Sequence, residues 1–198
     1  MRVPFFDLAF GRRRRRSAPQ EATARGDAPR VVVVGTPNVG KSVLFHRLTG
    51  AYVTVSNYPG TTVEVARGRA RFGGRQVEVV DTPGLHSLRT LSDEERVARR
   101  LLLEEPAMVV LHVVDAKNLE RMLPFTFQLL EAGLPVVLVA NMIDEAERAG
   151  LRIDVEGLEQ SLGIPVVGTV AVSGRGIPRL RALLDERCRE RAHDRVAV

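Results

Sequence analysis

Gly35-Thr36-Pro37-Asn38-Val39-Gly40-Lys41-Ser42 follows the apolar run Val31 to Val34 and opens into Val43-Leu44-Phe45-His46-Arg47-Leu48. The pattern G-x-x-x-x-G-K-S therefore stands between a buried-strand signal and a helical one, the context that a phosphate-binding loop requires. Gly35 and Gly40 let the backbone wrap phosphate oxygens, and the helix that follows turns unpaired N–H groups and its positive dipole end toward them. Lys41 is placed to reach the β- and γ-phosphates, and the Ser42 hydroxyl to ligate Mg²⁺. Thr36, Pro37, Asn38, Val39 and Val43 complete the wall of this expected nucleotide cradle.

Outside the loop, the composition is that of one globular domain with an appendage. The 198 residues are 44% hydrophobic and 27% charged, enough for one sizeable core. Cys188 is the single cysteine, which excludes a disulfide framework or a cysteine metal cluster and makes a reducing compartment the expected one. Tryptophan is absent and aromatic residues are 5% of the chain, so base stacking on RNA finds little support. The net charge of +5 is concentrated in residues 1–30, where Arg2, Arg12 to Arg16, Arg25 and Arg30 oppose only Asp7, Glu21 and Asp27. Residues 1–29 are expected to be a basic arm without regular structure, and residues 30–198 the folded domain.

Arginines clustered behind the short apolar start Met1 to Phe10, interrupted by Asp7, can contact an anionic membrane or RNA phosphates through Arg12 to Arg16. Their order, apolar first and basic second, is the reverse of a secretory signal. No apolar run approaches the roughly 18 residues that a membrane helix needs. The expected location is the cytoplasm, with the cytoplasmic face of the inner membrane within reach of the arm.

Strand and helix signals alternate along the domain. Ala51 to Thr61, with Asn57, Pro59 and Gly60, reads as irregular; Thr62 to Phe72 and Gln76 to Val80 flank Gly73-Gly74 as an antiparallel pair. Ser92-Asp93-Glu94-Glu95 is a capping box that opens a helix ending before Pro106. Met108 to Val114 and Leu134 to Ala140 are near-continuous apolar runs, as in strands covered on both faces, with a helix over Leu119 to Ala132 between them. A short helix over Asp154 to Leu162, a last strand over Ile164 to Val172 and a closing helix from Pro178 complete the chain. The expected fold is α/β, a mostly parallel six-stranded sheet with one antiparallel edge strand and helices on both faces.

Further chemistry falls at strand ends, where such a sheet places its ligand. The aspartate of Asp81-Thr82-Pro83-Gly84 can hold Mg²⁺, usually through water, and the Gly84 N–H can sense a γ-phosphate. Asn141-Met142-Ile143-Asp144 leaves a buried strand directly. A carboxylate there accepts the N1–H and the exocyclic amine of guanine, a donor pair that adenine lacks, so Asp144 selects GTP over ATP; the competing role for Asp144 is a helix cap. Asn141 braces the loop and the ring edge, the Met142 thioether covers the base face, and the Ala171 N–H is offered to guanine O6. The loop Ser56 to Thr62 supplies a hydroxyl to complete Mg²⁺ coordination, and spacing does not choose between Thr61 and Thr62.

Together, Asn38 within its loop, Asn57-Tyr58-Pro59-Gly60-Thr61-Thr62-Val63-Glu64, Asp81-Thr82-Pro83-Gly84, Val114-Asp115-Ala116-Lys117-Asn118-Leu119-Glu120-Arg121 and Asn141-Met142-Ile143-Asp144 carry a resemblance. Over about residues 30–190 the chain resembles the G domain of the bacterial ferrous iron transport protein B family, in the translation-factor-related class of small GTPases. The resemblance implies a Ras-like P-loop GTPase fold and Mg²⁺-dependent hydrolysis of GTP to GDP and phosphate. It assigns the switch-one magnesium threonine to Thr62, the switch-two aspartate and glycine to Asp81 and Gly84, the guanine residues to Asn141 and Asp144, and the last nucleotide loop to Thr169, Val170 and Ala171. In related GTPases the asparagine matching Asn38 helps bind K⁺, which offsets phosphate charge during hydrolysis. Ser42, Thr62 and Asp81 are then the Mg²⁺ set, and Lys41, Asn38, Thr62 and Gly84 the catalytic one.

Departures from the family pattern bear on mechanism. Thr36 replaces the more usual asparagine, Leu85-His86 a small polar residue and tyrosine, and Val170 a serine. Leucine at position 85 cannot position a water, His86 comes one residue too late, and His112 lies inside an apolar strand as a core histidine. Slow hydrolysis without a side-chain general base is expected. The family continues into a helical regulatory region and a membrane permease, so an iron-transport role here is expected to act through a permease partner or a membrane portion of the same protein. A ribosome-assembly or RNA-associated GTPase and a non-enzymatic nucleotide-binding adaptor are the alternatives, and the sequence leaves the oligomeric state open.

Overall fold

In the computed structural model of the chain, residues 28–50, 53–89 and 91–194 are described. The basic arm expected at residues 1–29, with Arg12 to Arg16, therefore lies almost wholly outside the described residues. In chain order the elements are β1 (Arg30–Val34), α1 (Lys41–Thr49), β2 (Val53–Asn57), β3 (Glu64–Phe72), β4 (Arg75–Asp81), α2 (Asp93–Leu103), β5 (Val109–Asp115), a 3₁₀ turn (Ala116–Asn118), α3 (Leu119–Glu131), β6 (Val136–Asn141), α4 (Ile143–Arg148), α5 (Val155–Leu162), β7 (Val166–Gly168) and α6 (Ile177–Asp194).

The strands form one sheet in the order β2-β3-β4-β1-β5-β6-β7. β1 pairs in parallel with β4 and β5, and β6 and β7 extend the parallel part, whereas β3 runs antiparallel to both β2 and β4. The α/β class holds, with a seventh strand: β2 forms from residues that read as irregular, and the antiparallel strand is therefore one place in from the edge. The reason is visible in its sequence, Val-Thr-Val-Ser-Asn, where four of five residues are exposed, so no hydrophobic period marks it. The last strand is shorter than its apolar run because the chain leaves the sheet after Gly168 and folds back through a Val170–Arg175 bridge.

Alternation in the central strands decides which helices cover which face. Val31 and Val33 join Leu44, Phe45 and Leu48 of α1 and Leu180 and Leu184 of α6. Val32 and Val34 point the other way, to Ala98 and Leu102 of α2 and Phe125 and Leu129 of α3. Burial on both faces is why β1, β5 and β6 read as unbroken apolar runs. His112 falls on the α3 face, 1% exposed, with Nδ1 3.0 Å from the Thr126 hydroxyl and its ring edge-on to Phe125. It is the hydrogen-bonded core histidine that its position implied.

α2 opens with the capping box, Ser92 accepting from the Glu95 N–H and Glu95 accepting from the Ser92 N–H. Near its far end, Glu105 joins a ring of charge with Arg30, Glu78 and Arg67, at N–O separations of 2.7 to 3.2 Å. All four side chains are 17–30% exposed, and the ring lies at the end of the sheet where the central strand β1 begins.

Candidate nucleotide-binding site

The loop between β1 and α1 is shaped by close approaches that only small residues permit. A Cβ at Gly40 (φ 90°) would lie 2.3 Å from Asn141 Nδ2, and one at Gly84 would lie 2.6 Å from Pro37 Cγ. These two glycines bring the β6 loop and the β4 loop against the phosphate loop. Asn38 takes the left-handed conformation (φ 65°) at the exposed crest, and its amide makes no hydrogen bond among the described residues. Lys41 is 8% exposed and donates from Nζ to the Thr36 carbonyl at 2.8 Å. Burial lowers its pKa and nearby Asp81 opposes that shift.

At the end of β4, Asp81 Oδ1 is buried without a hydrogen-bond partner among the described residues. Burial raises the Asp81 pKa, against the opposing pull of the Ser42 hydroxyl, Lys41 and His46. An orphaned carboxylate oxygen next to the Ser42 hydroxyl is an oxygen donor set suited to a hard cation, so the residues fit Mg²⁺. Thr82 ties this turn to β1, donating from Oγ1 to the Val33 carbonyl at 2.9 Å, and the Leu85 N–H donates to the Gly35 carbonyl at 3.1 Å. The Leu85 side chain is fully buried in the α2–α3 cluster, so it packs and cannot face a ligand. His86 is exposed, 3.7 Å from Glu95.

In the loop after β2, the two threonines differ. Thr61 Oγ1 donates to the Tyr58 carbonyl at 2.9 Å and accepts from the Val63 N–H at 3.2 Å, closing a turn. Thr62 is exposed and its hydroxyl makes no hydrogen bond among the described residues. Local turn chemistry thus occupies the Thr61 hydroxyl and leaves that of Thr62 without a bond among the described residues.

On the base side, Asn141 is 2% exposed and bonded on both ends of its amide. Nδ2 donates to the Val39 carbonyl at 2.9 Å, while Oδ1 accepts from Thr169 Oγ1 and the Ala171 N–H, each at 3.0 Å. Met142 then turns left-handed (φ 60°) and opens α4, with its methyl end near Gly40. Asp144 lies in the first turn of α4, and it does not cap it: Oδ2 accepts from Arg148 Nη2 at 2.7 Å.

The last loop corrects one sequence expectation. The N–H groups of Thr169, Val170 and Ala171 donate to the Ala140 carbonyl, the Arg175 carbonyl and Asn141 Oδ1. None of the three is left to meet a base, Ala171 included, so these residues build the loop. The first N–H that makes no hydrogen bond among the described residues is that of Val172, 74% exposed at the site's rim. Sequence reasoning missed it because a bond between residues 30 positions apart leaves no local signal.

A phosphate loop after a central β1, bonded through one asparagine to a base-side loop after β6, places this chain in the Ras-like P-loop GTPase class. Comparison with known proteins narrows the class. The profile described as ferrous iron transport protein B matches residues 29–184, and the chain belongs to that family. It is 46% identical over 161 residues to an Fe(2+) transport protein A/Fe(2+) transporter FeoB fusion protein of Porphyromonas gingivalis, covering 81% of this chain and 19% of that one. The solved cytosolic domain of the T. maritima FeoB iron transporter in a GDP form superposes with a TM-score of 0.77 at 39% identity, over 81% of this chain and 63% of that one. The solved G domain of the same transporter gives 0.76 at 38% identity, over 82% and 99%. The chain spans about a fifth of the length of the curated relatives it matches. Among the described residues no helix is long and apolar enough to cross a membrane.

Proposed function

We propose that this domain binds GTP with Mg²⁺, hydrolyses it slowly to GDP and phosphate with stimulation by K⁺, and passes the state of the γ-phosphate to a ferrous iron permease. The observation that carries the reading is the doubly bonded Asn141 amide, which makes the phosphate loop and the base-side loop one unit. A T. maritima relative crystallised with GDP supports a guanine nucleotide as the ligand.

In this reading Lys41 releases the Thr36 carbonyl to reach the β- and γ-phosphates, and the α1 N–H groups receive the remaining oxygens. Ser42, Asp81 and Thr62 hold Mg²⁺, whose charge, when bound, offsets that of the β- and γ-phosphates. The Asn38 amide oxygen, exposed at the crest, is the K⁺ contact. Asp144 accepts from guanine N1–H on one carboxylate oxygen and from the exocyclic amine on the other, Oδ2 keeping a lone pair for Arg148, and the Val172 N–H donates to O6. With Leu85 buried, no side chain at that position can act as a base, so the Gly84 N–H and charge neutralisation supply the rate. Residues 1–29 serve as a basic arm to this G domain, at the cytoplasmic face of the membrane that holds the permease.

Phosphate release from GTP by the pure protein with excess Mg²⁺, compared in K⁺ and Na⁺, tests the proposal. Turnover should exceed background and be faster in K⁺, and Asn38→Ala should erase the difference. No turnover in either salt would leave a nucleotide-binding adaptor; turnover indifferent to the cation would remove K⁺ alone.

A further inference from the structure

The loop after β7 must hold its N–H groups in fixed directions to read a base, yet it is a surface loop containing Gly174 and Gly176. Asn141 grips it from the β6 side. From the opposite side it is gripped by Arg47, in the last turn of α1: Nε donates to the Ala171 carbonyl at 3.0 Å and Nη2 to the Val172 carbonyl. The clamp is itself held. Arg181 of α6 donates from Nη1 to the Leu48 carbonyl at 3.0 Å and to the Arg47 carbonyl at 3.4 Å, with its guanidinium 5.2 Å from the Phe72 ring centroid.

Peptide planarity makes the consequence specific. In a trans peptide the carbonyl of one residue and the N–H of the next point in opposite directions. Turning the Ala171 carbonyl toward Arg47 therefore aims the Val172 N–H away from Arg47, and turning the Val172 carbonyl does the same for the Ser173 N–H. Arg47 orients two successive peptide planes with one rigid fork, a geometry that guanidinium provides and ammonium does not.

We propose that Arg47 is the positioning residue for guanine O6: its fork fixes the Val172 N–H, and, lying on the helix that begins with Lys41 and Ser42, it links the hold on the base to the hold on the phosphates. The inference rests on the guanine-nucleotide reading above. Removing the fork frees both peptide planes, so bound nucleotide leaves sooner while the phosphate-side residues are untouched.

Release of N-methylanthraniloyl-GDP by stopped flow, in wild type, Arg47→Ala and Arg47→Lys, tests it. Arg47→Ala should release roughly tenfold faster, equivalent to about 1.4 kcal/mol, with Arg47→Lys between the two. The distinguishing measurement replaces GDP by the 2-aminopurine nucleoside diphosphate, which lacks O6. Arg47→Ala should weaken GDP and leave the affinity for this analogue unchanged, whereas equal loss for both would show a merely structural role and overturn the inference. Should Arg47→Ala lower the melting temperature markedly, the same ratio measured in Arg47→Lys decides. Wild-type binding of GDP with unchanged release from the variants overturns the role of Arg47 alone; absence of wild-type binding overturns the guanine reading and this inference with it.

Discussion

Asn141 Nδ2 lies 2.9 Å from the carbonyl oxygen of Val39, a bond between residues 102 positions apart that fastens the end of β6 to the phosphate loop. The same amide receives the Thr169 hydroxyl and the Ala171 N–H. One buried side chain thus sets the distance between the two ends of the site.

Replacing it should be costly on both counts. Asn141→Ala strands a carbonyl, a hydroxyl and an N–H in a buried position, for a loss of about 3 kcal/mol. For a domain of this size that lowers the melting temperature by roughly 6–12 °C. Scanning calorimetry checks the stability, and GDP titration should show binding weakened beyond detection at micromolar protein.

Asp81→Asn should separate stability from function. Burial raises the Asp81 pKa, so in the ligand-free protein its ionised form opposes folding: the stability it permits is complete at low pH and is lost as pH rises through its folded-state value. Neutral asparagine removes that penalty. The unliganded variant should melt higher at neutral pH, while the further rise produced by Mg²⁺ and GDP in the wild type disappears. Differential scanning fluorimetry with and without ligand reads both.

Base selectivity is tested at the other end. Asp144→Asn should weaken GDP by roughly 10- to 100-fold, the range for a lost bidentate base contact, and strengthen xanthosine diphosphate, whose C2 carbonyl meets the new amide. The exposed Arg148 partner is left single at little cost in stability. Competition against a fluorescent guanine nucleotide gives the ratio, and an unchanged ratio would remove Asp144 from the base site.

The buried His112 supplies a pH dependence unrelated to nucleotide. Desolvation depresses its pKa from 6.5 to about 3, so the neutral ring contributes stability above pH 6.5 that is lost as pH falls toward 3. Between pH 7 and pH 5 the loss is about 2 kcal/mol. His112→Leu should flatten urea-derived stability across that window while lowering it at pH 7, where Thr126 Oγ1 loses its neighbour.

Much of this architecture could be read before any coordinates, because the informative stretches are local. The phosphate loop, Asp81 to Gly84 and Asn141 to Asp144 announce themselves through residues fixed by nearby backbone chemistry, and β1, β5 and β6 through burial on both faces. β2 was not legible, since an exposed edge strand has no apolar period to display. α4 was hidden by its length of 6 residues and its left-handed start at Met142. The shift of the open N–H from Ala171 to Val172, and the fork of Arg47 on the same loop, depend on contacts across 30 and 124 positions. Such contacts are decided by tertiary packing.

Leu85 has a mechanical consequence. Its N–H is bonded to Gly35, and its side chain is sunk beside Ala98 and Leu102, so the backbone next to Gly84 cannot shift without pushing on α2. Leu102 stands three residues before Glu105, the acid that completes the charged ring with Arg30, so the turn after β4 and the charged ring brace the same end of α2. Arg30, at the start of β1, shares that ring with Glu78 of β4, so the first strand of the chain is tied at one end to the helix that Leu85 braces.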